Sequence, residues 1–175
     1  MQTASRLVRR GAAVCVICGG ALTVYGCYRR HYRDEGGERH YGWIAQGHCG
    51  VCKVYPALIP SFIRPHKHFK AAVIERVIEE AEAGNNIEEL SGCAADISTM
   101  RRWVRQFNTH GAQAVGWLIS TLQTVYQQHV STIIIRNMTL LKQLARLLCE
   151  FPVSESGGVI SRANIVLTTQ NCGFL

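Results

Sequence analysis

Cys15-Val16-Ile17-Cys18-Gly19 and, thirty residues further on, His48-Cys49-Gly50-Val51-Cys52-Lys53 are the stretches that decide the fold of the N-terminal third of this chain. Each Cys-x-x-Cys pair can present two sulfur atoms from one tight turn. Four thiolates around one ion form a closed tetrahedral site, typical of structural zinc, with no open position for water. We therefore predict one structural Zn2+ bound by four ligands: Cys15, Cys18, Cys49 and Cys52.

The remaining cysteines leave other interpretations open. An even total of eight also fits a disulfide framework, but Cys93, Cys149 and Cys172 stand singly, which favours a reduced metal protein. An iron–sulfur site or a redox dithiol lacks supporting context. Residues 1–28 also resemble a signal peptide, with arginines before an apolar run, which would make the match between the two pairs a coincidence. Four other residues could serve as metal ligands but are expected to be surface or packing residues: Cys27, His31, His40 and His48.

The charge is concentrated in the cysteine-bearing part of the chain. The formal net charge is +7, and residues 1–66 carry nine Lys and Arg against three Asp and Glu. Residues 67–110 carry six against seven. This basic N-terminal third predicts an anionic partner. Since no stretch has twenty uninterrupted apolar residues, we expect a cytoplasmic protein with no membrane partner.

Periodicity predicts an α+β protein. Alternating β-formers predict strands over 22–28 and 41–46, joined by a polar hairpin tip over 33–39. Three of the four prolines lie in residues 55–66, which predicts an extended linker. The expected domains are a zinc ribbon (14–54), a proline-rich linker (55–66), a helix-turn-helix (67–110), a helical hairpin (111–151) and a tail (152–175).

Helical patterns dominate after the linker. An apolar stripe of Phe69, Ala72, Val73, Val77 and Ile78 predicts a helix over 68–83, with its glutamates facing solvent. A short helix over 87–94, capped by Asn85 or Asn86, and a third over 99–108, capped by Ser98, should follow. Gly111 is expected to end that unit, before two apolar helices over 112–130 and 133–150.

The third helix has the pattern of a recognition helix. Met100, Trp103, Val104 and Phe107 share one side at helical spacing, so they form the buried face. Arginine and glutamine on the other side match the side chains that contact base edges and phosphates in the major groove. The predicted DNA-binding residues are Thr99, Arg101, Arg102, Arg105 and Gln106. The alternative is an amphipathic helix with a solvated arginine face.

Four segments carry a family resemblance: CVICGGAL (15–22), GCYRR (26–30), GHCGVCKVYPALIPSFIRP (47–65) and STMRRW (98–103). Over residues 14–108 the chain is similar to an uncharacterised bacterial family of zinc-ribbon plus helix-turn-helix proteins. That family resembles the N-terminal DNA-binding parts of insertion-sequence transposases. The resemblance implies zinc ligation by the four paired cysteines and DNA contact by Arg101, Arg102 and Arg105. It supplies no activity.

The sequence argues against an enzyme. Phosphoryl transfer needs clustered carboxylates that hold divalent metal, yet the only aspartates are Asp34 and Asp96. We therefore expect a transposase-like or regulatory protein that binds double-stranded DNA and has no catalytic core. A zinc-stabilised protein–protein adaptor is the alternative. The apolar C-terminal helices predict either a homodimer interface or packing on the helix-turn-helix.

Overall fold

The structure is a computed structural model that describes residues 13–15, 17–60, 62–64, 67–124, 138–151 and 158–168. A three-stranded antiparallel sheet precedes a set of helices, so the predicted α+β class is confirmed. The strands are β1 (Leu22–Arg33), β2 (Arg39–Cys49) and β3 (Ala57–Leu58). The helices are α1 (Ala71–Glu82), a 3-10 helix (Ile87–Glu89), α2 (Ile97–Thr124), α3 (Leu140–Leu148) and α4 (Val159–Thr168).

The sheet is built around one long hairpin. β1 and β2 pair from Leu22 opposite Cys49 to Arg33 opposite Arg39, with a bulge between Val24 and Gly26. The predicted tip over 33–39 is confirmed, and both strands run further toward it than their alternation indicated. The short β3, which the linker sequence did not predict, pairs with Ala45 and Gln46 of β2.

The four α-helices share one apolar core. Trp103, Phe107 and Leu118 of α2 are almost fully buried against Leu144 of α3 and Ile160 of α4. The predicted buried side of residues 100–107 is confirmed. In the part of the chain that was described, no helix is long and apolar enough to cross a membrane.

The helix expected to end near Gly111 continues through it. α2 is one helix of 28 residues, so the predicted termination at Asn108 is wrong. Gly111 is buried, and a Cβ at this position would overlap Leu140 Cδ2. The glycine therefore allows α3 to approach α2 closely inside a helix, where glycine costs only about 1 kcal/mol relative to alanine.

Smaller predictions about the helices also need correction. Ala72 is exposed and Ile74 takes its place in the core. The second helix is only a 3-10 turn, capped by Asn86 as predicted, because Ser91-Gly92 forms a turn instead. Ser98 does not cap α2.

The cap of α2 is Asp96, which precedes its first helical residue. The Asp96 carboxylate accepts the Thr99 N–H at 2.8 Å and the Ser98 hydroxyl at 2.6 Å. These hydrogen bonds lower the pKa of Asp96 to about 2, and the bond from the Ser98 hydroxyl has the largest effect. The carboxylate is therefore ionised at neutral pH, where it complements the positive end of a long helix.

Two α1 glutamates, predicted to face solvent, instead hold the later helices. Glu75 accepts the N–H groups of Val159 and Ile160 at 2.9 and 3.1 Å, at the start of α4. Both Glu82 carboxylate oxygens accept the Leu141 N–H at 3.2 Å, at the start of α3. The helix starts are the ends that lack internal acceptors, so α1 orients both.

The end of the hairpin is joined to the helical part by main-chain bonds. The Arg33 N–H donates to the His68 carbonyl at 2.6 Å, and the Lys70 N–H donates to the Arg33 carbonyl at 3.0 Å. The Arg30 side chain donates to the carbonyls of Arg64 and Lys67, at 2.6 and 2.8 Å. These contacts fix the sheet next to the start of α1.

Candidate metal centre and basic cleft

The four paired cysteines meet at one end of the sheet. Sulfur atoms of Cys15, Cys18, Cys49 and Cys52 all lie within 4.8 Å of one another. The Cys18 and Cys49 sulfurs are 3.5 Å apart. Cys15 and Cys49 are buried, whereas Cys18 is exposed. The predicted ligand set is brought together, and these four thiols could hold one metal ion.

Both cysteine turns have the same geometry. The Gly19 N–H donates to the Cys15 carbonyl at 2.8 Å, and the Lys53 N–H donates to the Cys49 carbonyl at 2.9 Å. Gly19 has a φ of 72° and Lys53 a φ of 59°. The turn requires a left-handed residue after the second cysteine, which glycine adopts freely and lysine adopts at a cost. Lys53 therefore takes the place of a turn glycine.

The thiols are crowded in a way that a cation relieves. The hydrogen bond with Cys18, then burial and the nearby Cys15, raise the pKa of the Cys52 thiol to about 12. This shift favours the protonated form of the thiol. A bound divalent ion reverses that preference, because it deprotonates a coordinating thiol outright. The arrangement is therefore a cluster of four thiols that could hold one metal ion.

A second polar group lies at the hairpin tip. Ligand atoms of Asp34, Glu38 and His40 also lie within 4.8 Å of one another. The His40 Nε2 is 2.7 Å from Asp34 Oδ2, and the Glu38 N–H donates to Asp34 Oδ1 at 2.9 Å. The His40 hydrogen bond, chiefly, lowers the pKa of Asp34. These contacts account for the cluster as a local pairing that supports the turn.

The predicted DNA-binding residues of α2 lie on two sides of the helix. Arg101 and Arg105 line a shallow groove of about 440 Å3 beside Ile87. Arg101 also forms an ion pair with Glu88 of the 3-10 helix. Thr99 and Arg102 line a different cleft of about 410 Å3. Gln106 accepts a hydrogen bond from the Lys67 ammonium group.

This second cleft, here named the basic cleft, lies between the end of β1 and the start of α2. Its lining is His31, Arg33, Lys67, His68, Phe69, Ala94, Asp96, Thr99, Arg102 and Trp103. The rings of His31 and His68 stack at 4.7 Å with an interplanar angle of 6°. Sequence reasoning missed the cleft because its cations come from three separated segments. The only signal was the basic balance of the chain.

The sheet face that continues from the cleft is aromatic and basic. Arg29 pairs with Trp43 and His31 with Tyr41 across β1 and β2, so these side chains share a face. The Arg29 guanidinium lies 3.8 Å from the centroid of the Tyr41 ring. Tyr41 and Trp43 are 51% and 54% exposed. Exposed aromatic side chains beside arginine form a surface suited to a binding partner.

The family comparison covers both features. A family model described as Domain of unknown function (DUF6431) matches residues 15–103, half of the chain, so the chain belongs to that family. The matched range begins at Cys15, the first of the four clustered cysteines, and ends at Trp103 of α2. It therefore includes the cysteine cluster and every residue that lines the basic cleft. No curated protein and no solved structure matches the chain.

Proposed function

We propose that this member of the DUF6431 family is a double-stranded DNA-binding protein, transposase-like or regulatory, with no catalytic core of its own. One observation carries the proposal. At the start of α2, Met100 and Trp103 are buried in the core, while Arg101, Arg102 and Arg105 are exposed. An anchored helix that presents arginines at its N-terminal turns is the arrangement that reads the major groove.

The elements before α2 support a helix-turn-helix role. α1 and the 3-10 helix precede α2, and the turn over 91–96 brings the chain into it. In a helix-turn-helix the first helix crosses the DNA backbone and the second enters the groove. The ion pair of Arg101 with Glu88 would hold one arginine ready at the surface. An exposed pair of this kind contributes little stability, so Arg101 can exchange Glu88 for a phosphate.

Zinc is the metal that the donor set favours. Four thiolates suit zinc or an iron–sulfur centre, and a closed set of two Cys-x-x-Cys turns is typical of a zinc ribbon. Elemental analysis should find one zinc per chain and no iron. A metal-free chain with an intact hairpin would rule out this part of the proposal.

A fluorescence-polarisation titration tests DNA binding. A labelled duplex is titrated with the zinc-loaded chain at several salt concentrations. Affinity should fall steeply with salt, because each phosphate contact releases counterions. Replacing Arg101 and Arg105 together by alanine should reduce the affinity for DNA strongly. Replacing Lys142 and Arg146 of α3 by alanine removes the same charge and should leave that affinity unchanged. Absence of binding to any duplex at low salt would reject the proposal.

The exposed sheet face favours one second candidate, a protein–protein adaptor. Tyr41 and Trp43 on the sheet, with Ile17 and Val51 on the cysteine turns, are more than half exposed. Such a surface with basic neighbours would suit an acidic protein. Competition separates the two functions, since excess unlabelled DNA should not displace an adaptor's partner. Light scattering at high concentration tests the proposed homodimer through the C-terminal helices.

A further inference from the structure

We infer that the basic cleft is a phosphate-binding site, which holds one phosphodiester of the DNA backbone between the sheet and α2. The inference rests on the proposed function and assigns a part of the DNA surface outside the recognition helix. Lys67 and Arg33 are its principal ligands, together with Arg102. None of the sequence patterns pointed to Arg33 or Lys67.

The geometry of the cleft suits a phosphate. Its volume of about 410 Å3 is more than one phosphate group needs, and it opens to solvent beside the start of α2. Arg33 comes from the end of β1, Lys67 from the segment before α1, and Arg102 from α2. Cationic donors from three elements can contact a phosphate from different sides, and their charge-assisted hydrogen bonds are stronger than neutral ones.

The positive charge of the cleft is not compensated within the described chain. The described residues form the ion pairs Asp34–His40, Glu88–Arg101 and Glu150–Arg146. None of these pairs includes Arg33, Lys67 or Arg102. Among the described residues of the lining, Asp96 is the one carboxylate, against the side chains of Arg33, Lys67 and Arg102. Its Oδ1 already accepts the Thr99 N–H and the Ser98 hydroxyl. The cleft therefore keeps an excess of positive charge at neutral pH.

The cations of the cleft are close enough to repel one another. Burial, then the charges of Arg102 and Arg64, lower the pKa of Lys67. Burial, then His68, Arg39, Arg33 and Arg30, lower the pKa of His31. A bound phosphate would relieve this repulsion, because an opposite charge within a few ångströms favours the charged form. It should therefore raise the pKa of both groups.

The position of the cleft relates it to the recognition helix. Arg102 lines the cleft, while its neighbours Arg101 and Arg105 line the groove on another side of the same turns of α2. Lys67 donates to Gln106, which ties the cleft to the next turn of α2. Phosphate contacts fix the register of a protein on DNA without reading bases. The cleft would set the depth and angle at which α2 enters the groove.

The test compares two double variants that lose the same charge. R33A/K67A removes two cations from the cleft and leaves every predicted base-contacting residue in place. K142A/R146A removes two exposed cations from α3. For the cleft variant we expect duplex affinity to fall about tenfold. The slope of log affinity against log salt should become shallower by about 1. The control should match the wild type, and circular dichroism checks the fold of both.

A second measurement does not require DNA. Inorganic phosphate, added at constant ionic strength against chloride, should shift the imidazole NMR signals of His31 and His68 and raise the pKa of His31. The cleft variant should lose that response. The His31 and His68 side chains share the lining of the cleft with charged groups from three elements. These are Arg33 of β1, Lys67 of the segment before α1, and Asp96 and Arg102 at the start of α2.

The outcomes separate the inference from the function. If the wild type binds duplex while R33A/K67A keeps wild-type affinity and salt slope, the inference is overturned and DNA binding stands. If the wild type binds no duplex but phosphate shifts the histidines as described, DNA binding fails and the cleft is a site for free phosphate. If neither DNA nor phosphate binds, both are wrong.

Discussion

Replacing Cys49 by serine should unfold one end of the hairpin and leave the helical core intact. Cys49 is fully buried at the last position of β2, with its sulfur 3.5 Å from that of Cys18. Serine keeps the size but supplies a poor ligand for a soft thiolate site. Cys27→Ser is the matched control, since Cys27 is an exposed cysteine of β1 outside the cluster.

The magnitude follows from what else holds this end together. In the small apolar cluster that the described residues form around the paired cysteines, Leu22 is the only buried side chain that is not a cysteine. Full burial of one leucine contributes about 1.5–3 kcal/mol. A structural zinc contributes about 10–16 kcal/mol at neutral pH. Loss of the metal therefore exceeds anything that this small core can offset.

Hydrogen exchange read by mass spectrometry, together with zinc content, is the assay. Cys49→Ser should lose zinc and lose amide protection around residues 20–26 and 46–54. Protection should persist near Arg33, which is bonded to the His68 and Lys70 main chain, and in α2. Cys27→Ser should behave as the wild type. Full protection of the cysteine turns in zinc-free Cys49→Ser protein would refute the reasoning.

Four further substitutions test three local features. Lys53→Gly should remove the cost of the left-handed φ of 59° and stabilise the folded cysteine turn by about 1 kcal/mol. The measurement is the rate of zinc loss to a chelator, which should be slower for the variant; faster loss would contradict this prediction. Glu75→Ala should cost about 1–2 kcal/mol in denaturant unfolding, because α4 loses its two acceptors; an unchanged midpoint would be evidence against this cap. Gly111→Leu should destabilise by about 1–3 kcal/mol through overlap with Leu140, whereas Gly116→Ala, where a Cβ meets open space, should stabilise by about 1 kcal/mol. Equal shifts for the two glycines would refute the close approach of α3.

Local patterns predicted what local chemistry decides. The cysteine spacing predicted the ligand set, since two tight turns need only short-range geometry. Alternation predicted the hairpin and its tip over 33–39, and apolar spacing predicted the buried side of Met100, Trp103 and Phe107. In each case the signal lies within a few residues of the feature that it describes.

Tertiary contacts decided what the sequence could not predict. In the sequence, Gly111 indicates the end of a helix. In the structure, it allows close contact with Leu140, which is distant in the sequence. The sequence predicts that Glu75 and Glu82 face solvent, because the N–H groups that donate to their carboxylates lie far along the chain, in α4 and α3. The basic cleft needs β1, the segment before α1 and α2 together, so no single window of sequence contains it.

We propose above all that the zinc-loaded chain recognises duplex DNA through the start of α2. Selection from a random duplex library by the zinc-loaded chain tests it most directly. We expect enrichment of a defined motif, retention that weakens with salt, and loss of the motif when Arg101 and Arg105 are replaced by alanine. A chain that retains no duplex at low salt, or enriches the same sequences after that replacement, would contradict the account.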